Sequence, residues 1–92
     1  MDSRFAEDAR SIDAALRQRI AHSIRQIRVS RGITQEALAL RSGLALRHLQ
    51  KVEAAEVNVT IRSLARIAAG LKVDVSDLVH RDEVEESPCS TS

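Results

Sequence analysis

Over the first thirty positions the apolar residues step by three or four: Phe5, Ala9, Ile12, Leu16, Ile20, Ile24 and Ile27. Residues three and four apart share one face of an α-helix, so this spacing is a single helical stripe. It predicts either one helix over about residues 4–30 or two helices with a bend near Arg19 to Ala21. Gly32 stands where a left-handed cap would close the helix. Arg28 and Arg31 lie in its last turn, where the helix dipole favours cations. In "TQEALALRSGLALRHLQKVE", Thr34 to Glu53, apolar residues fall at 37, 38, 40, 44, 46, 49 and 52 around a Ser-Gly pair. Two short helices broken by a glycine turn read this way: 35–41, with Thr34 as N-cap and Glu36 in the first turn, then about 45–54 after Gly43.

Further on, "EVNVT" reads as a loop, and Thr60 is placed to cap a fourth helix, 61–69, with Leu64, Ile67 and Ala68 facing inward and Gly70 ending it. "KVDVS" reads as extended, with Ser76 capping a short last helix through about His80. The remainder, "RDEVEESPCSTS", is acidic and then Ser-rich, and offers too little apolar surface to order itself. The expected organisation is an N-terminal helical extension at 1–19, a folded domain at 20–80 and a disordered tail at 81–92.

Composition narrows this to an all-α fold of five or six helices. Ninety-two residues make one small domain, and Phe5 is the single aromatic, so the core must be built from Leu, Ile, Val and Ala. Three glycines and one proline among abundant Ala, Leu, Arg and Glu favour helix over sheet. No apolar run approaches a membrane span, and the polar opening "MDSRFAEDAR" is unlike a secretory signal. The lone Cys89 excludes an internal disulfide and fits a reducing compartment, so a soluble cytoplasmic protein is expected.

Charge changes the picture more. The formal net charge is +1, yet Arg17 to Lys72 holds eleven Lys or Arg against three acids, Glu36, Glu53 and Glu56, between two acidic ends. A basic middle of this kind is a candidate footprint for a polyanion, or a set of solvated helix faces. Enzyme chemistry finds little support. His22, His48 and His80 are far apart, and no metal-ligand spacing or Gly-rich phosphate loop occurs. Cys89 and its serines lack a nearby base, and Asp74 and Asp77 read as a loop residue and a first-turn acid. No catalytic residue, metal site or cofactor is expected.

"IRQIRVSRGITQEALALRSGLALRHLQKVE", followed by "NVTIRSLARIAAGLKVDVSDLV", resembles the Xre or phage-repressor type of helix-turn-helix DNA-binding domain over Ile20 to Val79. The resemblance rests on Gln35 opening the first motif helix, Ala39 at the helix crossing, Gly43 in the turn, Leu44, Leu49 and Val52 behind it, and Glu53 closing the second helix. Physics asks for the same residues. Helices crossing steeply over a short turn need a small contact residue and one tolerant of unusual φ, which Ala39 and Gly43 supply. Positions 49 and 52 lie on one face, leaving Leu46, Arg47, Gln50 and Lys51 on the other with His48 at the flank.

A helix so loaded fits a major groove about 12 Å wide. Arg47 and Lys51 match guanine O6 and N7, and Gln50 an adenine edge. Leu46 suits a thymine methyl, dimer packing or simple exposure. Thr34, Gln35 and the amides at that helix start would hold a phosphate, joined by Arg31, Arg41, Arg62 and His48 unless these are plain surface residues. The resemblance implies an Arg28–Glu53 ion pair that steadies the second motif helix.

It also implies repression by a homodimer on a palindromic double-stranded site, with two recognition helices about 34 Å apart. Val73, Val75, Leu78 and Val79 are dimer candidates, since the family often pairs near its last helix. Phe5, Ile12 and Leu16 either staple back on the core or pair with a second subunit. Three departures stand out. Ala45 replaces the usual Ser or Thr cap, with Ser42 the nearest substitute. Ala55 replaces a common glycine and Val59 a common proline, so the loop 54–59 is expected to run differently. The competing class is an antitoxin-like or accessory module whose terminal segment, "RDEVEE" here, docks a partner protein. RNA binding is disfavoured by the want of stacking aromatics.

Overall fold

The computed structural model describes residues 3–80, with side chains from residue 6 onward. The side chain of Phe5 and the tail 81–92, with any partner it docks, lie outside the described residues. Among the described residues the fold is all-α: α1 (Ser3–Ser30), α2 (Gln35–Ser42), α3 (Leu46–Glu53), α4 (Ile61–Leu71) and α5 (Ser76–Val79). α4 packs along α2, while α3 and α5 pack against α1.

α1 is one unbroken helix, which removes both the two-helix reading and the fold-back of the extension. Its apolar stripe is buried only in the C-terminal half. Ile20 and Ile24 enter the core, whereas Leu16 is 37% and Ile12 67% exposed. The core is aliphatic throughout, with Ile24, Leu38, Leu49, Val52, Ile67, Leu71 and Leu78 almost wholly buried. Leu78 is therefore not a dimer residue, because its side chain already fills the domain's own core. Val73 and Val79 also pack half-buried against that core, which leaves Val75 as the exposed residue of the four.

The first four helices all end alike. An N–H two or three residues past the helix reaches back to a carbonyl five residues earlier: Ile33 to Arg28, Leu44 to Ala39, Glu56 to Lys51 and Val73 to Ala68, all at 3.0 Å. This closure needs a left-handed residue, and Gly32, Gly43, Ala55 and Lys72 supply it with φ of 68°, 69°, 60° and 61°. Ala55 thus adopts the conformation a glycine would take, and Val57 and Val59 pin the loop to the core. A left-handed non-glycine costs about 1–2 kcal/mol, against about 0.5–1 kcal/mol for the extra chain freedom of glycine. Ala55→Gly should therefore raise stability by about 0.5–1 kcal/mol. A denaturant midpoint that stays put or falls would show Ala55 to be unstrained.

Gly70 does not end α4, which runs on to Leu71 and closes through Lys72. Its role is close approach. A Cβ at Gly70 would lie 2.6 Å from Ser42 Oγ and 3.1 Å from Leu38 Cδ1, so its absence lets α4 settle on α2. Ser42 is buried in this contact and its Oγ has no hydrogen-bond partner among the described residues. It therefore does not cap α3, whose N-cap residue Ala45 makes no side-chain cap bond.

"KVDVS" is a turn rather than extended, since Lys72 is left-handed and Val75 helical (φ −57°, ψ −32°). Ser76 is the first residue of α5 and does not cap it; Val75 before it makes no side-chain cap bond, and the hydrogen bond at the helix start is accepted by Asp74. Its Oδ1 accepts from the Ser76 N–H at 2.9 Å, and Asp77 Oδ2 accepts from the Asp74 N–H at 3.2 Å. Hydrogen bonds from the backbone and the hydroxyl of Ser76 hold the Asp74 carboxyl below its ordinary 3.8. A carboxyl depressed by folding stabilises the native state above its unfolded value, and that contribution fades as pH falls through the folded value. Asp74→Ala should thus melt below the wild type at neutral pH, with the gap closing in acid below 3.8. A gap that persists unchanged there would mean that the carboxylate does not hold the helix start.

Candidate nucleic-acid interface

The α2–turn–α3 unit is built from local signals. Thr34 Oγ1 accepts from the Ala37 N–H at 3.0 Å and starts α2. Ala39, 4% exposed, sits where the helices cross, and Gly43 turns the chain left-handed between them. Leu49 and Val52 then face the core, while Arg47, Gln50 and Lys51 stand exposed on the far side of α3. Leu46 departs from the expected outward face. It is half-buried and packs on the core, supporting the root of α3. His48 is half-buried at the flank.

Behind α3 lies a polar lock. Glu53 is only 4% exposed, and Arg28 grips its carboxylate through Nε at 2.7 Å and Nη2 at 3.0 Å. Two parallel charge-assisted bonds fix both distance and angle, so α3 is held in position and orientation against α1. The remaining Arg28 Nη1 donates to the Ile33 carbonyl at 2.9 Å, and Arg25 Nη2 donates to the Glu53 carbonyl at 3.0 Å. Gln35 joins the same lock, its Nε2 donating to Glu53 Oε1 at 3.0 Å. The side chain expected on a phosphate thus faces inward, and ties the start of α2 to the end of α3.

Nine of the eleven basic residues of the middle fall into two populations. Arg17 Nη1 donates to the Ala55 carbonyl at 3.3 Å, Arg66 Nη1 to the Gly43 carbonyl at 3.3 Å, and Arg31 to the Leu71 carbonyl. With Arg25 and Arg28, these arginines serve the carbonyls at helix ends, where the dipole is negative. Arg31 is therefore an internal clasp on α4. Sequence reasoning missed Arg17, Arg25 and Arg66, because their acceptors lie 38, 28 and 23 positions away. Arg41, Arg47, Lys51 and Arg62 are exposed and engage no partner among the described residues. They lie on α2, α3 and the first turn of α4.

An exposed basic helix, locked from behind and joined to its partner by a glycine turn, defines a DNA-binding unit of the helix-turn-helix class. The chain belongs to the helix-turn-helix family designated HTH_3, whose model matches residues 24–78. Its structure is similar to the restriction-modification controller protein C.AhdI from Aeromonas hydrophila, at 28% identity and a TM-score of 0.67, over 70% of this chain and 97% of that one. It is also similar to an HTH_3 family transcriptional regulator from Vibrio cholerae, at 30% identity and a TM-score of 0.72, over 83% of this chain and 43% of that one. A hypothetical transcription factor from Neisseria gives 29% identity and a TM-score of 0.73, over 79% and 84% of the two chains. No curated protein matches the sequence. The protein is a DNA-binding transcription regulator, and among the described residues no helix is long and apolar enough to cross a membrane.

Proposed function

We propose that the protein represses transcription as a homodimer bound to a palindromic double-stranded site, reading bases with α3. The observation that carries this reading is the division of α3. Leu49, Val52 and Glu53 are buried, while Arg47, Gln50 and Lys51 are exposed together on a helix whose orientation Arg28 holds. Arg47 and Lys51 donate to guanine, and Gln50 pairs with adenine. Thr34, the first amides of α2, Arg41, His48 and Arg62 take backbone phosphates, which fix register without reading sequence. With Leu78 in the core, Val75, Ile12 and Leu16 are the dimer candidates that stay exposed to meet a second copy, and Val29, Leu40 and Ile61 are further exposed apolar residues. A dimer seated over a promoter would repress by excluding polymerase.

The test is a binding selection from random duplex DNA at about 150 mM salt, where non-specific attachment is weak. A palindrome with half-sites about one helical turn apart is expected. Enrichment of a single unrepeated site would overturn the dimer, and no consensus at all would overturn sequence-specific reading.

A further inference from the structure

Between α1, α2 and α3 lies an open cleft of about 300 Å³, lined by Arg25, Arg28, Gln35, Gln50, Glu53 and Ala54. Its position links two parts of the DNA-facing surface. Gln50 belongs to the exposed face of α3, and Gln35 opens the helix that follows Thr34. A duplex seated on α3 would bring one strand of its backbone to the mouth of this cleft. This follows from the groove-docking reading above and rests on it.

The hydrogen bonds decide which lining group is free to meet that backbone. The Glu53 carboxylate accepts from Arg28 Nε, Arg28 Nη2 and Gln35 Nε2, so both of its oxygens are engaged. Arg28 is engaged at all three of its nitrogens, the last donating to the Ile33 carbonyl. Gln35 is turned toward Glu53. Arg25 differs on each count. It is exposed, and it makes one bond, through Nη2, to a neutral carbonyl at 3.0 Å. Of the five N–H groups on a guanidinium, most therefore remain unused. The charges lining the cleft are Arg25, Arg28 and Glu53, and Glu53 is matched by Arg28, so Arg25 leaves the cleft net positive.

We propose that Arg25 takes a DNA backbone phosphate at this cleft, while its Nη2 keeps hold of the end of α3. One guanidinium would thereby join the phosphate backbone to the helix that reads the bases. No motif marks Arg25 for this, because the free donors and the cleft exist only once α1 and α3 are packed.

The test compares Arg25→Gln, which keeps an N–H donor for the Glu53 carbonyl but loses the charge, with Arg25→Lys, which keeps the charge. Affinity for the selected duplex and for an unrelated duplex is measured across about 50–200 mM salt, alongside thermal melting of each variant. Each phosphate contact contributes about 0.9 to the slope of log affinity against log salt, which is about 3.5-fold in affinity over that interval. Arg25→Gln is expected to lose that increment on both duplexes with its melting little changed, and Arg25→Lys to keep it. A slope equal to wild type in Arg25→Gln overturns the proposal and leaves Arg25 as a cap on α3 alone. If Arg25→Gln melts early, a slope reduced in Arg25→Lys as well overturns it, because the charge would then not be the cause. Wild type failing to bind either duplex would remove the groove-docking reading itself, and this outcome is distinguishable because it precedes any variant.

Discussion

Glu53→Ala is expected to lower the unfolding free energy by about 3–5 kcal/mol, the usual consequence of removing one partner of a buried ion pair. The carboxylate side chain is 3% and its Arg28 partner 12% exposed, so the charge left behind when the other is lost is poorly hydrated. Loss of the carboxylate strips Arg28 of two bonds and Gln35 of its acceptor, leaving Arg28 with the Ile33 carbonyl. For a domain whose total stability falls in the usual range of about 5–15 kcal/mol, this is a large fraction. The unfolded population should rise at least about a hundredfold, since about 1.4 kcal/mol is a factor of ten. Urea unfolding followed by helical circular dichroism gives the number. The control is simultaneous replacement of Arg28 and Glu53 by apolar residues of similar volume, which should recover much of the loss. A single variant within about 1 kcal/mol of wild type, comparable to an exposed pair, would show that the bridge is not what holds α3.

Arg47→Ala is the second large effect, and it falls on discrimination rather than on folding. Arg47 is exposed on α3 with no partner among the described residues, so its truncation leaves the core untouched. A bidentate arginine–guanine contact distinguishes the right base by about 1–3 kcal/mol, or roughly 5- to 150-fold. The ratio of affinities for the selected site and a scrambled duplex should shrink by that factor, with non-specific binding much less affected. Arg41→Ala provides the contrast. A phosphate contact carries no sequence information, so both affinities should fall together and the salt slope should decrease by about one. The groove assignment would be wrong if Arg47→Ala kept the full ratio, or if Arg41→Ala changed the ratio and spared the slope.

These two arginines show how far the sequence is informative. Arg47 could be placed on an outward face because Leu49 and Val52 mark the inward one, and helical periodicity does the rest. Arg66 could not be distinguished from it by any such rule. Both are exposed arginines on short helices, yet one has no partner among the described residues and the other donates to the Gly43 carbonyl. Gln35 makes the same point within the motif. Its position at the start of α2 was legible, but the direction of its amide depends on where Glu53 lies. Spacing puts Leu46 on the outward face because it records a face and not its neighbours, and the family resemblance offers Leu78 to a second subunit, yet both are packed on the core.

By itself the sequence determined the helical class, the order of the elements, the aliphatic core and the turn at Gly43. Each follows from interactions within about four positions: a repeating apolar face, a threonine cap, a residue tolerant of positive φ. The Arg28–Glu53 pair came from resemblance to a family, and the structure shows it in full. Tertiary structure alone decided the rest. It held Ala55 and Lys72 left-handed, used Gly70 for close approach instead of termination, and sorted the arginines into clasps and free cations. The physical reason is range. A helix-end carbonyl attracts whichever cation the packing brings to it, and for Arg66, Arg25, Arg17 and Arg31 that carbonyl lies 23 to 40 positions away, beyond the reach of any local pattern.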